Sequence, residues 1–190
     1  MTNVTIFGTG NMGSAIAGVL AAGGASVDHL GSAEAGTITG DVVVLAVPYP
    51  ALASIVEQYA DQLAGKVVVD ITNPLDFSTF DALTVPAGSS AAAELQAKLP
   101  SSRVLKAFNT NFAATLAAKQ VGEAATTVLI AGDDAEAKAT LQQLVTAGGL
   151  EAVDAGSLKR AHELEAIGFL QLTLAASEKI SWTAGFALVK

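Results

Sequence analysis

Three glycines spaced Gly8-x-Gly10-x-x-Gly13 stand a few residues from Met1, inside Phe7-Gly8-Thr9-Gly10-Asn11-Met12-Gly13-Ser14-Ala15. The spacing suits a pyrophosphate cradle. The first glycine permits a tight turn, the second lets the backbone approach an anion with no Cβ in the way, and the third lets a helix pack closely on a strand. In a chain with 18 glycines the pattern alone is weak, and its flanks decide its meaning. Cationic help is distant: Asp28, Glu34, Asp41, Glu57 and Asp61 all precede the first basic side chain, Lys66. A phosphate held by the amino-terminal third therefore relies on backbone amides around Asn11 to Gly13, hydroxyls and the helix dipole, unless His29 or a distant Lys or Arg folds back to it.

Other chemistries find little support. There is no Cys, hence no disulfide framework, thiolate metal site or cysteine nucleophile. The two histidines, His29 and His162, belong to no HExxH motif or His/Cys cluster, so no metal site is expected. Neither Ser14 nor Ser32 lies in a GxSxG elbow. Hydride transfer remains, because it needs two rings held together and water kept away more than it needs a catalytic side chain; the sequence singles out no catalytic residue.

The elements flanking the glycines fit that chemistry. Val4-Thr5-Ile6-Phe7 reads as a buried strand, and Met12, Ile16, Val19 and Leu20 follow at helical spacing until Gly23-Gly24. Buried-strand signals recur over 41–47, 66–70, 103–108, 127–130 and 150–153, with helices expected over 49–63, 91–99, 112–120 and 134–147. Continuous Val/Leu/Ile runs separated by helices imply a Rossmann-type, doubly wound parallel sheet covered on both faces. Residues 157–179 read as one long helix, apolar enough to dock on the domain or on a second subunit. The division expected is a dinucleotide-binding domain over 1–156 and a helical extension over 157–190.

Size and charge agree. At 190 residues and 51% hydrophobic the chain can build one substantial core. A net charge of −8 opposes binding to DNA, RNA or acidic lipid. Met1 precedes a polar pair and an apolar run too short for a signal segment, and later runs fall short of a membrane span, so a cytoplasmic, soluble protein is expected.

At the adenosine end the ordinary pattern breaks. Asp28 lies near the usual acidic position but inside the second strand; it reads first as a satisfied edge residue and second as a ribose ligand. Gly31-Ser32 comes at the strand end, where amides and a hydroxyl suit a ribose or a phosphate. About ten residues then lead to Asp41, spanning at most about 33 Å. They can return along a strand and cross one neighbour, but cannot also form a full helix and a third strand. The usual second helix and third strand are therefore expected to be missing or vestigial, leaving the second strand near the sheet edge with a shallow adenine pocket. Ala46-Val47-Pro48-Tyr49, Asn73-Pro74 and Ala107-Phe108-Asn109 end further strands and should line one crevice at the carboxyl edge. Tyr49 either packs on a ligand or fills core space; Asn109 either binds a carboxamide or caps a turn. His162 reads as part of a solvated helix face or as a contact to a second substrate.

Gly8-Thr9-Gly10-Asn11-Met12-Gly13, Gly31-Ser32, Val47-Pro48-Tyr49, Asp70-Ile71-Thr72-Asn73-Pro74, Lys106-Ala107-Phe108-Asn109-Thr110, Ala131-Gly132-Asp133-Asp134 and Asp154-Ala155-Gly156-Ser157-Leu158 together resemble the family of coenzyme F420-dependent NADP oxidoreductases. Its fold recurs in the cytosolic reductase domains of six-transmembrane metalloreductases. The resemblance implies NADP(H) bound across the carboxyl ends of the strands and hydride exchange with a second redox partner. Thr9 to Met12 would bind pyrophosphate, Val47 to Tyr49 would run along the ribose and nicotinamide, and Ser32 would hold the 2′-phosphate. The family arginine beside that serine is replaced by Ala33, which removes a charge-assisted contact of about 1.5–3 kcal/mol and leaves NAD possible. Two functions fit these residues. One is an NADP(H)-dependent oxidoreductase, expected to be a homodimer, acting on a small flavin-like, deazaflavin-like or metal-chelate acceptor; the other is a dinucleotide-binding sensor or regulatory module without turnover.

Overall fold

A computed structural model describes residues 1–31 and 36–189. Side chains alternate across its first strand, β1 (Asn3–Phe7): Val4 and Ile6 enter one core and Phe7 another. The same alternation divides β3 (Val42–Leu45), with Val42 and Val44 on one side and Val43 and Leu45 on the other. One face is covered by α1 (Asn11–Ala22), α4 (Ala113–Ala118) and α5 (Ala135–Ala147), through Ile16, Leu20, Leu116, Leu141 and Val145. The other is covered by α2 (Leu52–Leu63), α3 (Ala91–Lys98) and the start of α6 (Ala161–Ala176), through Ile55, Leu63, Leu95 and Ala161. This is the expected doubly wound α/β arrangement. Single 3-10 turns, Tyr49–Ala51 and Leu158–Arg160, precede α2 and α6.

The remaining strands are β2 (Ser26–Leu30), β4 (Val67–Asp70), β5 (Arg103–Lys106), β6 (Gln120–Val121), β7 (Ala124–Ala125), β8 (Thr127–Gly132) and β9 (Glu151–Gly156). The seven-stranded sheet has the order β2-β1-β3-β4-β5-β8-β9, with β6 and β7 a separate hairpin. Among the described residues β2 is an edge strand, and residues 36–41 carry neither helix nor strand, in keeping with the short connection. Ser32 and Ala33, expected beside the cofactor's phosphate, lie outside the described residues.

The sheet is parallel from β2 through β5, but β8 pairs antiparallel with β5 and β9 follows β8. The connection explains the reversal. α4 has six residues, about 9 Å of helix at 1.5 Å per residue, too short to carry the chain back to the amino end of the sheet. Lys119, left-handed at φ +60°, ends α4. The β6–β7 hairpin then turns the chain, so β8 enters from the carboxyl edge and only Ala131 and Gly132 reach β5.

Candidate functional site

The chain moves outward in opposite directions from β1 to β2 and from β1 to β3, so a crevice opens beyond the carboxyl ends of these strands, where α/β proteins bind ligands. The glycine turn sits there. Gly8 adopts φ +107°, and a Cβ on it would run into the Ala46 carbonyl; a Cβ on Gly13 would run into the Gly8 carbonyl. A Cβ on Gly10 would meet nothing within 4 Å. Two glycines are therefore required by the fold, while the third keeps a space open that the protein does not fill. Gly10 caps α1 without a side-chain bond, leaving the first-turn amides and the dipole directed outward. The turn is braced by Gly8 N donating to Leu30 O at 3.1 Å and by His29 Nδ1, 3.1 Å from Gly8 O. A carbonyl only accepts, so His29 carries its proton on Nδ1 in that contact.

The crevice is a cavity of about 590 Å³. Gly10, Asn11, Met12 and Gly13 form one side, Ala46 to Tyr49 the floor beside it, and Asn73, Asn109 and Asn111 the far side. Among the described residues no charged side chain lines it, and Tyr49 is its one titratable group. Tyr49 donates its hydroxyl to Glu94 at 2.6 Å, and its phenol is pushed up to about 12, first by burial and then by the bond to that carboxylate. It is a poor proton donor there.

The far side is tied together by side chains. Asn73 Nδ2 donates to Asn109 O at 2.8 Å, and Asn109 Nδ2 donates to Asn73 Oδ1 at 2.9 Å and to Leu164 O of α6 at 2.8 Å. Gly168 of α6 lies against this pair, where a Cβ would meet Asn73 Oδ1. Phe108 takes φ +62°, unusual for a bulky residue, to bury its ring while Asn109 turns toward α6. Thr72 Oγ1, Asn109 Oδ1 and Asn111 Oδ1 are buried without a protein hydrogen bond, and all three residues line the cavity. Asn109 thus has its amide hydrogens committed and retains acceptor capacity.

Behind this wall lies a wholly buried ion cluster. Lys106 Nζ, at the end of β5, is 2.9 Å from Asp70 Oδ2 and 2.7 Å from Glu165 Oε1, and donates to Thr72 O at 2.5 Å. Glu165 also accepts from Ala91 N at 2.9 Å, so one carboxylate joins α6, the start of α3 and β5. Burial pushes the Glu165 carboxyl up, opposed by the Lys106 ammonium and the Ala91 amide.

Of the remaining residues singled out from sequence, Gly8 and Thr9 form the turn behind Gly10, Gly31 follows β2, and Pro74, Ala107 and Phe108 are buried behind the far wall. Asp28 accepts from Thr39 Oγ1 at 2.9 Å, a satisfied strand residue. Lys66 is spent on Gly40 O at 2.6 Å. His162 lies outside the cavity, its Nδ1 3.0 Å from Ser89 O. Sequence reasoning missed Phe77, Phe112 and Trp182 as cavity residues and the Lys106 cluster altogether. The cluster left one faint signal: Asp70 and Lys106 each end an otherwise buried run. Among the described residues there is no group of three or more side chains suited to a metal ion, and no helix is long and apolar enough to cross a membrane.

Residues 25–74 match the family model for NADP oxidoreductases, coenzyme F420-dependent. The chain is 33% identical over 132 residues to the F420-dependent NADP reductase of Methanocaldococcus jannaschii, covering 67% of this chain and 59% of that one. It is 40% identical over 110 residues to the metalloreductase STEAP3 of Rattus norvegicus, covering 57% of this chain and 21% of that one. It therefore spans about a fifth to three-fifths of these curated relatives. The crystal structure of a candidate F420-dependent NADP reductase from Arthrobacter sp. FB24 matches over 100% of both chains, with a TM-score of 0.84 and 25% identity. The matched segment, the relatives and the full-length likeness of fold agree with the motifs along the crevice: the chain is similar to the coenzyme F420-dependent NADP oxidoreductases.

Proposed function

We propose that this protein is an NADP(H)-dependent oxidoreductase that exchanges a hydride with a small redox acceptor at the carboxyl-edge cavity. The observation that carries the proposal is the space kept at Gly10, where a fold-neutral Cβ is missing in front of an uncapped helix start. It is the feature a pyrophosphate requires and packing does not. Gly8 to Gly13 hold the pyrophosphate through backbone amides, with Gly31 and Ser32 toward the adenosine end. Ala46 to Tyr49 lie along the ribose and nicotinamide. Asn73 and Asn109, braced by Pro74, Ala107 and Phe108, face the carboxamide. When bound, the dinucleotide supplies a hydride, two electrons with one proton, and is oxidised as the acceptor is reduced. The chain's own part is to bind, orient and exclude water, consistent with a wall in which no described residue is charged.

In this proposal residues 1–156 hold the cofactor, and 157–190 complete the acceptor side and offer an apolar face to a second copy through Leu170, Phe186 and Leu188, which are exposed. The protein works in the cytoplasm. NADP is the preferred cofactor on the likeness to NADP reductases, and because Ala33 supplies no cation its margin over NAD is narrow. Calorimetric titration with NADPH and NADH tests this: tighter NADPH binding is expected, and a clear NADH preference contradicts it. Oxidation of NADPH with flavins, ferric chelates and quinones separates turnover from sensing. Tight binding with no acceptor reduced would favour the regulatory reading.

A further inference from the structure

We infer that Glu94, together with the buried Asp70 and Glu165, sets a negative electrostatic potential at the floor of the cavity that favours the oxidised, cationic nicotinamide over the reduced, neutral one. The bound couple is thereby a stronger hydride donor than the free couple. The inference rests on the oxidoreductase reading above, and it gives a part in it to Glu94, which does not itself line the cavity. Two wall residues connect the cavity to these carboxylates. Tyr49 donates its hydroxyl to Glu94 Oε2 at 2.6 Å, and Thr72 donates its amide to Asp70 Oδ1 at 2.8 Å. Behind Thr72 the one ammonium of Lys106 faces two carboxylates, Asp70 at 2.9 Å and Glu165 at 2.7 Å. Both Glu165 oxygens accept hydrogen bonds, from Ala91 N at 2.9 Å and Ala92 N at 3.4 Å, as an ionised carboxylate does. Glu94, in the first turn of α3, pairs with no cation among the described residues. Lys98, one turn on, lines with it the small cavity beyond Tyr49 but closes no ion pair.

A nicotinamide that gives up a hydride, two electrons with one proton, goes from a neutral ring to a cation, while its phosphates and riboses are unchanged. The difference in affinity between the two forms therefore reads the potential at the ring. Carboxylates held behind the wall act through a medium less polarisable than water, so their field is screened less than that of a surface charge. Among the described residues no cation lines the cavity to cancel it. The Tyr49 phenol registers this field: after burial and the bond to Glu94, the charges of Glu94, Glu165 and Asp70 all push it up. A cationic ring lying along Ala46 to Tyr49 meets the same potential and is held by it. Tighter binding of the oxidised form lowers the potential of the bound couple, which drives hydride toward the acceptor.

Calorimetric titration of the full-length protein with NADP⁺ and with NADPH gives the ratio of the two dissociation constants, and charge variants should move it. E94Q keeps an acceptor for the Tyr49 hydroxyl and removes one charge. It should weaken NADP⁺ relative to NADPH by roughly fivefold, about 20 mV for a two-electron couple. E94D, which keeps the charge, should leave the ratio within about twofold of the unmodified protein. K98E, at an exposed position on the same helix, should move the ratio the other way, toward NADP⁺, by roughly twofold. 2′-Phospho-ADP-ribose, which has the phosphates and no nicotinamide, should bind E94Q and the unmodified protein equally to within about twofold. A ratio unchanged in both E94Q and K98E, or moved by E94D as far as by E94Q, would overturn the inference while leaving the oxidoreductase reading intact. Failure of the unmodified protein to bind either form would remove that reading, and the inference with it.

Discussion

One side of the cleft, Gly8 to Gly13 with Ala46 to Tyr49, is made of backbone: a left-handed glycine, an uncapped helix start and a strand end in contact with the turn. The opposite side, Asn73, Asn109 and α6, is made of side chains that meet across long stretches of chain, backed by a buried lysine between two carboxylates. The first wall can be specified by a short, contiguous stretch because each part acts on its neighbours in sequence. The second exists only after β4, β5, α3 and α6 have assembled, and its stability is electrostatic as well as steric. The glycine-turn wall should therefore tolerate changes that the far wall does not, provided the glycines that the fold requires are left alone.

The largest effect should come from the far wall. Lys106→Ala leaves Asp70 and Glu165 without their cation in a site with no exposure and should cost about 3–5 kcal/mol of stability, measured by urea unfolding. The pH dependence gives this a sign. Burial already raises the Glu165 carboxyl, so its favourable contribution is full below the ordinary glutamate range and is lost as pH rises through the raised value. Removing Lys106 raises that carboxyl further, so the deficit should be smallest in acid and grow toward neutrality. A deficit independent of pH would show that the cluster acts by packing alone.

Gly8→Ala follows. It meets both a positive φ and the Ala46 carbonyl, and a loss of about 1–3 kcal/mol or more is expected by the same measurement. A smaller change comes from the boundary between the walls. Tyr49→Phe removes the bond to Glu94 and should cost about 0.5–1.5 kcal/mol. The phenol's contribution is intact below its ordinary 10.0 and is lost as pH rises through about 12. Phenolate absorbance of the unmodified protein should thus show a late ionisation that the variant lacks. The smallest effect lies away from the cleft. The Lys138 ammonium beside Asp154 holds that carboxyl below its usual range, so its contribution is present above 3.8 and is lost as pH falls through the lowered value. With Asp154 half exposed and screened by salt, Asp154→Asn should cost less than about 1 kcal/mol and flatten the acid limb of stability.

The same contrast explains what the sequence disclosed. The strand, glycine turn and helix at the amino terminus are local patterns, and the chain length between Gly31 and Asp41 is enough to place the second strand near the sheet edge. The reversal of β8 and β9 was hidden because strand direction depends on where α4 ends, and a left-handed Lys119 does not announce itself in an alanine-rich helix. Lys106 read as a member of an apolar strand because its partners, Asp70 and Glu165, are remote in sequence. Asn109 was visible as a polar residue at a strand end, but which of its atoms is committed depends on Leu164 of α6. Trp182 follows the last helix, and nothing in its neighbours shows that the chain turns back to the cavity.

The proposed function requires that Gly10 be kept open for a dinucleotide. Gly10 has φ −72°, which alanine adopts freely, and a Cβ there touches nothing in the protein. Calorimetric titration of Gly10→Ala with NADPH is therefore the most direct test. Unfolding should be unchanged to within about 0.5 kcal/mol, while NADPH binding should weaken by about tenfold or more, roughly 1.4 kcal/mol. A variant that folds normally and binds NADPH as tightly as the unmodified protein would contradict it.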